Sequence, residues 1–139
     1  MKIGIINGPN LNLVGTREPS IYGHMAMDDF ITMLRDKYAN MEVSYFQSNH
    51  EGELIDYIQD LDKQLDALII NAGAFSHTSI AILDALKAVD IPKIIEVHLS
   101  NIYAREAFRH HSYISTIAHA CIVGFGLKGY EMAIDSLLT

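Results

Sequence analysis

Glu96 and His98 stand two residues apart in the run "KIIEVH", a spacing that puts both side chains on one face of a strand. Glu96 is a charge among apolar residues and needs a partner. A carboxylate beside an imidazole raises the ring pKa and fixes its tautomer, as a general acid requires. The same two residues could also form a plain buried pair. Asn71 ends the run "ALIIN", where an asparagine either caps a turn or reaches a ligand. His77 is followed by Thr78 and Ser79. That triplet either precedes a helix cap or joins the N–H groups of a helix N-terminus in seating an anion or a polarised oxygen. Arg105 and Arg109 are four apart and would share a face of a short helix. With Arg17 they make three of the chain's four arginines. Their concentration in loops points to an anionic substrate, with a carboxylate met by a guanidinium fork.

Arg17 and Tyr22 lie in "TREPSIYG", residues 16–23, inside an irregular stretch longer than the usual 4 to 6 residues or so of a connection. The tyrosine is either a loop anchor or a group that the arginine tunes. An unperturbed tyrosine, with a pKa of about 10, is ionised to only about one part in a thousand at neutral pH. A guanidinium beside it lowers that pKa by roughly 1 to 3 units. The loop from Leu13 to Gly23 is expected to stay mobile until a ligand arrives.

The elements that must position these residues alternate along the chain. Short β-rich runs at 2–7, 42–47, 67–71, 93–98 and 120–124 read as strands, several of them almost wholly apolar, as in a parallel sheet covered on both faces. Helical stripes lie between them. They are Phe30, Ile31, Leu34 and Tyr38 over 28–38, then Leu54, Ile58, Leu61 and Leu65 over 53–65. Ile82, Leu83, Leu86 and Val89 follow over 78–89, and a last helix spans 129–138. The pattern predicts a single α/β domain over 1–139, with a flavodoxin-like, doubly wound, five-stranded parallel sheet and right-handed crossovers. Ligands of such sheets sit beyond the carboxyl ends of the strands. Strands three and four near their carboxyl ends, with the loops after strands one, three and four, carry the candidate functional residues named above.

Bulk properties narrow the chemistry. The 139 residues are half hydrophobic, with a formal net charge of -7 and no basic run, which argues against nucleic acid and anionic membranes as partners. The single cysteine, Cys121, lies in "ACIVGFG" and is expected to be a buried small hydrophobe. No intrachain disulfide is possible, and a cytoplasmic location is expected. The first apolar run is too short for a signal peptide or membrane span. The loop after strand one is neither a P-loop nor a GxGxxG, and His110 and His111 lack metal-ligand spacing, so neither nucleotide nor metal is expected. Asn7 and Asn71 occupy the places where a phospho-receiver needs acids, and the hydroxyl-rich first loop of a flavodoxin is missing.

Four separated motifs, "INGPNLNLVGTREPSIYG", "NAGAFSHTS", "EVHLSNIYAREAFRHHSYIS" and "GFGLKGY", resemble type II 3-dehydroquinate dehydratase over nearly the whole chain. The resemblance implies a flavodoxin-like enzyme of the shikimate or quinate pathway that dehydrates 3-dehydroquinate to 3-dehydroshikimate by anti elimination, without a cofactor. It implies that Tyr22 removes the C2 proton, giving an enolate, with Arg17 keeping the tyrosine partly ionised. Asn10 would hold the water that stabilises the enolate. His98, supported by Glu96, would protonate the leaving C1 hydroxyl, with Asn71 orienting it. His77 and Arg109 would bind ring hydroxyls. The backbone at Leu99 and Ser100 would receive the carboxylate in place of an arginine, leaving Arg105 a secondary role. The resemblance also implies a homododecamer built from trimers, with Asp84 reaching a neighbouring subunit's site.

Overall fold

The computed structural model describes residues 1–16, 24–61 and 63–139. Five strands form one sheet: β1 (Lys2–Asn7), β2 (Glu42–Gln47), β3 (Ala67–Asn71), β4 (Ile94–His98) and β5 (Ala120–Val123). Their order is β2-β1-β3-β4-β5, and every pairing is parallel. This is the flavodoxin-like order, with its switch point between β1 and β3. Three helices cross between strands, α1 (Met27–Lys37), α2 (Glu51–Gln59) and α3 (Ile80–Ala88), and α4 (Lys128–Leu137) follows β5.

Two apolar layers follow from the alternation of side chains along the strands. On one face Ile3, Ile5, Ile69, Ile95 and Val97 pack with Phe30, Ile31 and Leu34 of α1 and with Tyr130, Ala133 and Ile134 of α4. On the other, Ile6, Leu68, Ile70 and Ile94 meet Leu54 and Ile58 of α2 and Ile82, Ala85 and Leu86 of α3. The sheet is therefore covered on both faces, which is why its central strands read as unbroken apolar runs.

Three expectations are corrected. The second helix ends at Gln59 rather than Leu65. Leu65 is still buried, but from the segment that leads into β3. Arg105 and Arg109 do not share one helix: Arg105 follows the 3-10 turn Ile102–Ala104, and Arg109 ends the next turn, Ala107–Arg109. Cys121 is exposed rather than buried, because β5 is an edge strand with no neighbour beyond it. Its Sγ nevertheless lies within 4.8 Å of donor atoms of Glu96 and His98. Local burial, reinforced by the Glu96 carboxylate, pushes the thiol up to about 11.

At the carboxyl end of the sheet, β1 and β3 continue side by side. Asn7 pairs with Asn71, and the Gly8 N–H donates to the Asn71 carbonyl at 2.8 Å. A Cβ at Gly8 would lie 2.2 Å from the Ala72 carbonyl oxygen, so this close approach of two backbones needs glycine.

Candidate active site

A cavity of about 130 Å³ opens beyond the carboxyl ends of β1, β3 and β4. Asn10, Asn71, His77, His98, Leu99, Ser100, Arg105 and Arg109 all line it. Loops almost a hundred residues apart thus meet at one place, where the switch in strand order parts the crossover connections.

The Glu96–His98 pair forms one wall. Glu96 is fully buried and His98 is 5% exposed. The His98 Nε2–H donates to Glu96 Oε1 at 2.7 Å, since a carboxylate can only accept. Nδ1 is the ring nitrogen left for a ligand. Burial alone would push the Glu96 carboxyl up, but hydrogen bonds from His98, Ser112 and Ser115 outweigh it and hold the group below the usual range. Both serine hydroxyls donate to the carboxylate, Ser112 to Oε1 and Ser115 to Oε2. An ionised, fully satisfied carboxylate fixes the imidazole tautomer.

Asn71 shows the turn-capping reading of its position directly. Its Oδ1 accepts the Gly73 N–H at 3.2 Å, closing a turn, while the side chain borders the cavity. His77 belongs to the 3-10 turn Gly73–His77. Its Nδ1–H donates to the His111 carbonyl at 2.8 Å, which leaves Nε2 as an acceptor in the neutral ring. Burial, offset in part by that bond, lowers its pKa below the ordinary histidine value. Its ring stacks on His98 at 5.8 Å. The helix N-terminus behind it is not an open anion seat, because Ser79 Oγ accepts the Ile82 N–H at 2.9 Å.

Asn10 carries a left-handed φ of 70°, a conformation asparagine tolerates better than most residues. Its N–H donates to Asn49 Oδ1 at 2.9 Å, and Gln47 Nε2 donates to the same oxygen and to the Gly8 carbonyl. The loop after β1 is thereby tied to the one after β2.

Opposite lie the two arginines. Arg105 Nη1 donates to Ser100 Oγ at 3.1 Å. Arg109 Nε donates to Glu106 Oε2 at 2.7 Å and its guanidinium lies over the Phe108 ring. Arg105 is 3.9 Å from the same carboxylate. Glu106 is thus shared between the two guanidiniums on the rim. An imidazole–carboxylate pair, side-chain amides and a cationic rim around one small cavity can bind a hydroxylated anion and move a proton on it.

Asp84 is not part of this cavity; it stands exposed on α3. Arg17 and Tyr22 lie outside the described residues. Sequence reasoning missed Ser112, Ser115, Gln47, Asn49, Glu106 and Tyr130, of which Ser112, Ser115 and Glu106 stand inside the "EVHLSNIYAREAFRHHSYIS" motif without any spacing that marks them. It also missed that β5 sets Cys121 opposite Glu96 in register. Donor atoms of Glu96, His98 and Cys121 fall within 4.8 Å of one another, a grouping that could hold a metal ion among the described residues. Here the Glu96 oxygens are engaged by His98 and two serines.

The chain matches the family described as "Dehydroquinase class II" over residues 1–138. It is 53% identical over 140 residues to the 3-dehydroquinate dehydratase of Psychromonas ingrahamii, covering 99% of this chain and 93% of that protein. It is 55% identical over 133 residues to the catabolic 3-dehydroquinase of Talaromyces marneffei, covering 94% and 75%. The crystal structure of type II dehydroquinase from Butyrivibrio crossotus superposes with a TM-score of 0.93 at 49% identity, covering 100% of this chain and 98% of that one.

Proposed function

The chain belongs to the dehydroquinase class II family, and from that premise we propose that it dehydrates 3-dehydroquinate to 3-dehydroshikimate by anti elimination through an enolate. The observation that carries the reading is the buried Glu96–His98 pair, opening onto a cavity with a cationic rim. Elimination needs a strong base at C2, because a proton alpha to a ketone is weakly acidic, and an acid at the leaving C1 hydroxyl. His98 is that acid: Glu96 holds its Nε2–H, and Nδ1 delivers the proton. Tyr22 is the base, and the Arg17 guanidinium raises its phenolate fraction. Asn10 holds the water that stabilises the enolate oxygen. Asn71 orients the leaving hydroxyl, His77 and Arg109 bind ring hydroxyls, and backbone groups of Leu99 and Ser100 take the carboxylate. Arg105, bonded to Ser100, supports that seat.

The same reading makes the protein a cytoplasmic homododecamer of trimers, with Asp84 completing a neighbour's site. Among the described residues no helix is long and apolar enough to cross a membrane. The dehydration serves shikimate synthesis or quinate breakdown with identical chemistry, and one relative is named as catabolic.

Adding 3-dehydroquinate to the purified protein tests the reading. Enone absorbance should rise without added cofactor and survive chelation. No rise at any substrate concentration would contradict it.

A further inference from the structure

Tyr130, from α4, is fully buried and is not among the cavity residues, yet its hydroxyl sits in a polar chain beneath it. The hydroxyl donates to Asn7 Oδ1 at 2.6 Å and accepts from Asn71 Nδ2 at 3.2 Å. Asn7 Nδ2 in turn donates to Tyr45 Oη at 3.3 Å. The direction of every bond follows from one fixed donor. The Gly73 N–H can only donate, so the Asn71 oxygen must face it. The Asn71 amide nitrogen then faces Tyr130, which must accept there and spend its own proton on Asn7. Asn7 is thereby turned with its amide nitrogen toward Tyr45. Burial pushes the Tyr130 hydroxyl well above its ordinary pKa, so it stays protonated throughout the working range.

We propose that Tyr130 is a positioning residue for the dehydration: its hydroxyl, held by Asn7, locks the Asn71 amide so that the second Nδ2 proton meets the substrate. The kinetic part rests on the dehydratase reading above, in which Asn71 touches the leaving hydroxyl. The bonding part does not. A packing residue would serve as well with phenylalanine, whereas a lock on Asn71 requires the oxygen.

The test is a double-mutant cycle with a spectroscopic check on the intact protein. Tyr130→Phe should lower kcat about tenfold, near the upper end of what one net hydrogen bond gives, with KM little changed. Added to Asn71→Ala it should cost nothing further, because its effect runs through Asn71. Tyr45→Phe, which ends the chain away from Asn71, should stay within twofold of wild type. In wild-type protein, NMR should show a slowly exchanging Tyr130 hydroxyl proton with cross-peaks to the Asn7 and Asn71 side-chain amides. Additive losses in the cycle, an unchanged kcat in Tyr130→Phe, or absence of the protected hydroxyl proton would each overturn the proposal. The NMR result stands even if Tyr130→Phe folds poorly. It also stands if the wild type does not dehydrate 3-dehydroquinate, so the two readings fail separately.

Discussion

On the proposed reading, the chemistry of the cavity depends on one buried carboxylate, Glu96. Glu96 accepts from His98, Ser112 and Ser115, and these bonds keep it ionised where burial would otherwise neutralise it. Glu96→Gln keeps the shape but removes the charge that holds the His98 Nε2–H. Turnover should fall about 100-fold or more, the lower end of what acid–base catalysis contributes, with little change in KM. A pH dependence follows from the direction of the shift. Because the folded carboxyl is held below its unfolded value of 4.5, its stabilising contribution is complete above that value. It is lost as pH falls through the lower, folded pKa. Urea midpoints measured down the acid range should decline more steeply for wild type than for Glu96→Gln. Parallel curves would show that the carboxylate is not held this way. The pairing itself was legible, since two residues on one strand face must meet. The serines were not, because they come from 16 and 19 residues downstream on an irregular segment. Tyr130 closes the "GFGLKGY" motif, but nothing local ties it to its partner Asn7, 123 residues away.

At the scale of elements, the strands could be read almost to the residue. A run covered on both faces has apolar side chains throughout, and it stops where polar loop residues begin. The second helix was less legible. Leu54, Ile58, Leu61 and Leu65 keep a helical period, yet the helix stops at Gln59 and the last two leucines approach the core on other backbone. Periodicity reports which residues turn inward, not which conformation brings them there. The exposure of Cys121 was hidden for a related reason: an apolar run does not reveal that its strand lies at the sheet edge. The tightest constraint lies between β1 and β3, where Gly8 and Ala72 leave no room for a methyl group. Gly8→Ala should therefore push the two strand ends apart, cost about 1–3 kcal/mol by overpacking, and lower kcat by displacing Asn10 and Asn71. Ser79→Ala is the contrast. It removes the cap on Ile82 N–H and should cost about 1 kcal/mol of stability with kcat unchanged. Chemical denaturation and steady-state kinetics on the two variants separate the effects, and a silent Gly8→Ala would contradict the packing argument.

At the scale of the whole molecule, the proposed reading has one cavity acting on both faces of a ring. The doubly wound order brings the loop after β1, which leads to Arg17 and Tyr22, and the end of β4, which carries His98, to the same sheet edge. On the proposed assembly a third contribution comes from Asp84 of another subunit. Sedimentation should then show a species far above the 15.5 kDa chain. Inactive His98→Ala and impaired Asp84→Asn chains, co-expressed, should regain activity in mixed oligomers. An active monomer, or mixtures that never complement, would remove Asp84 from the site. Tyr22→Phe belongs to the same account and should cut turnover about 100- to 10,000-fold. The central claim is an elimination with the base and the acid on opposite faces of the substrate, and stereospecific labelling tests it most directly. With 3-dehydroquinate deuterated at C2 on the face opposite the C1 hydroxyl, the account predicts 3-dehydroshikimate that has lost the label and a slowed rate. With the label on the hydroxyl's own face, it predicts product that keeps it. Loss of the label from the hydroxyl's own face would contradict the account.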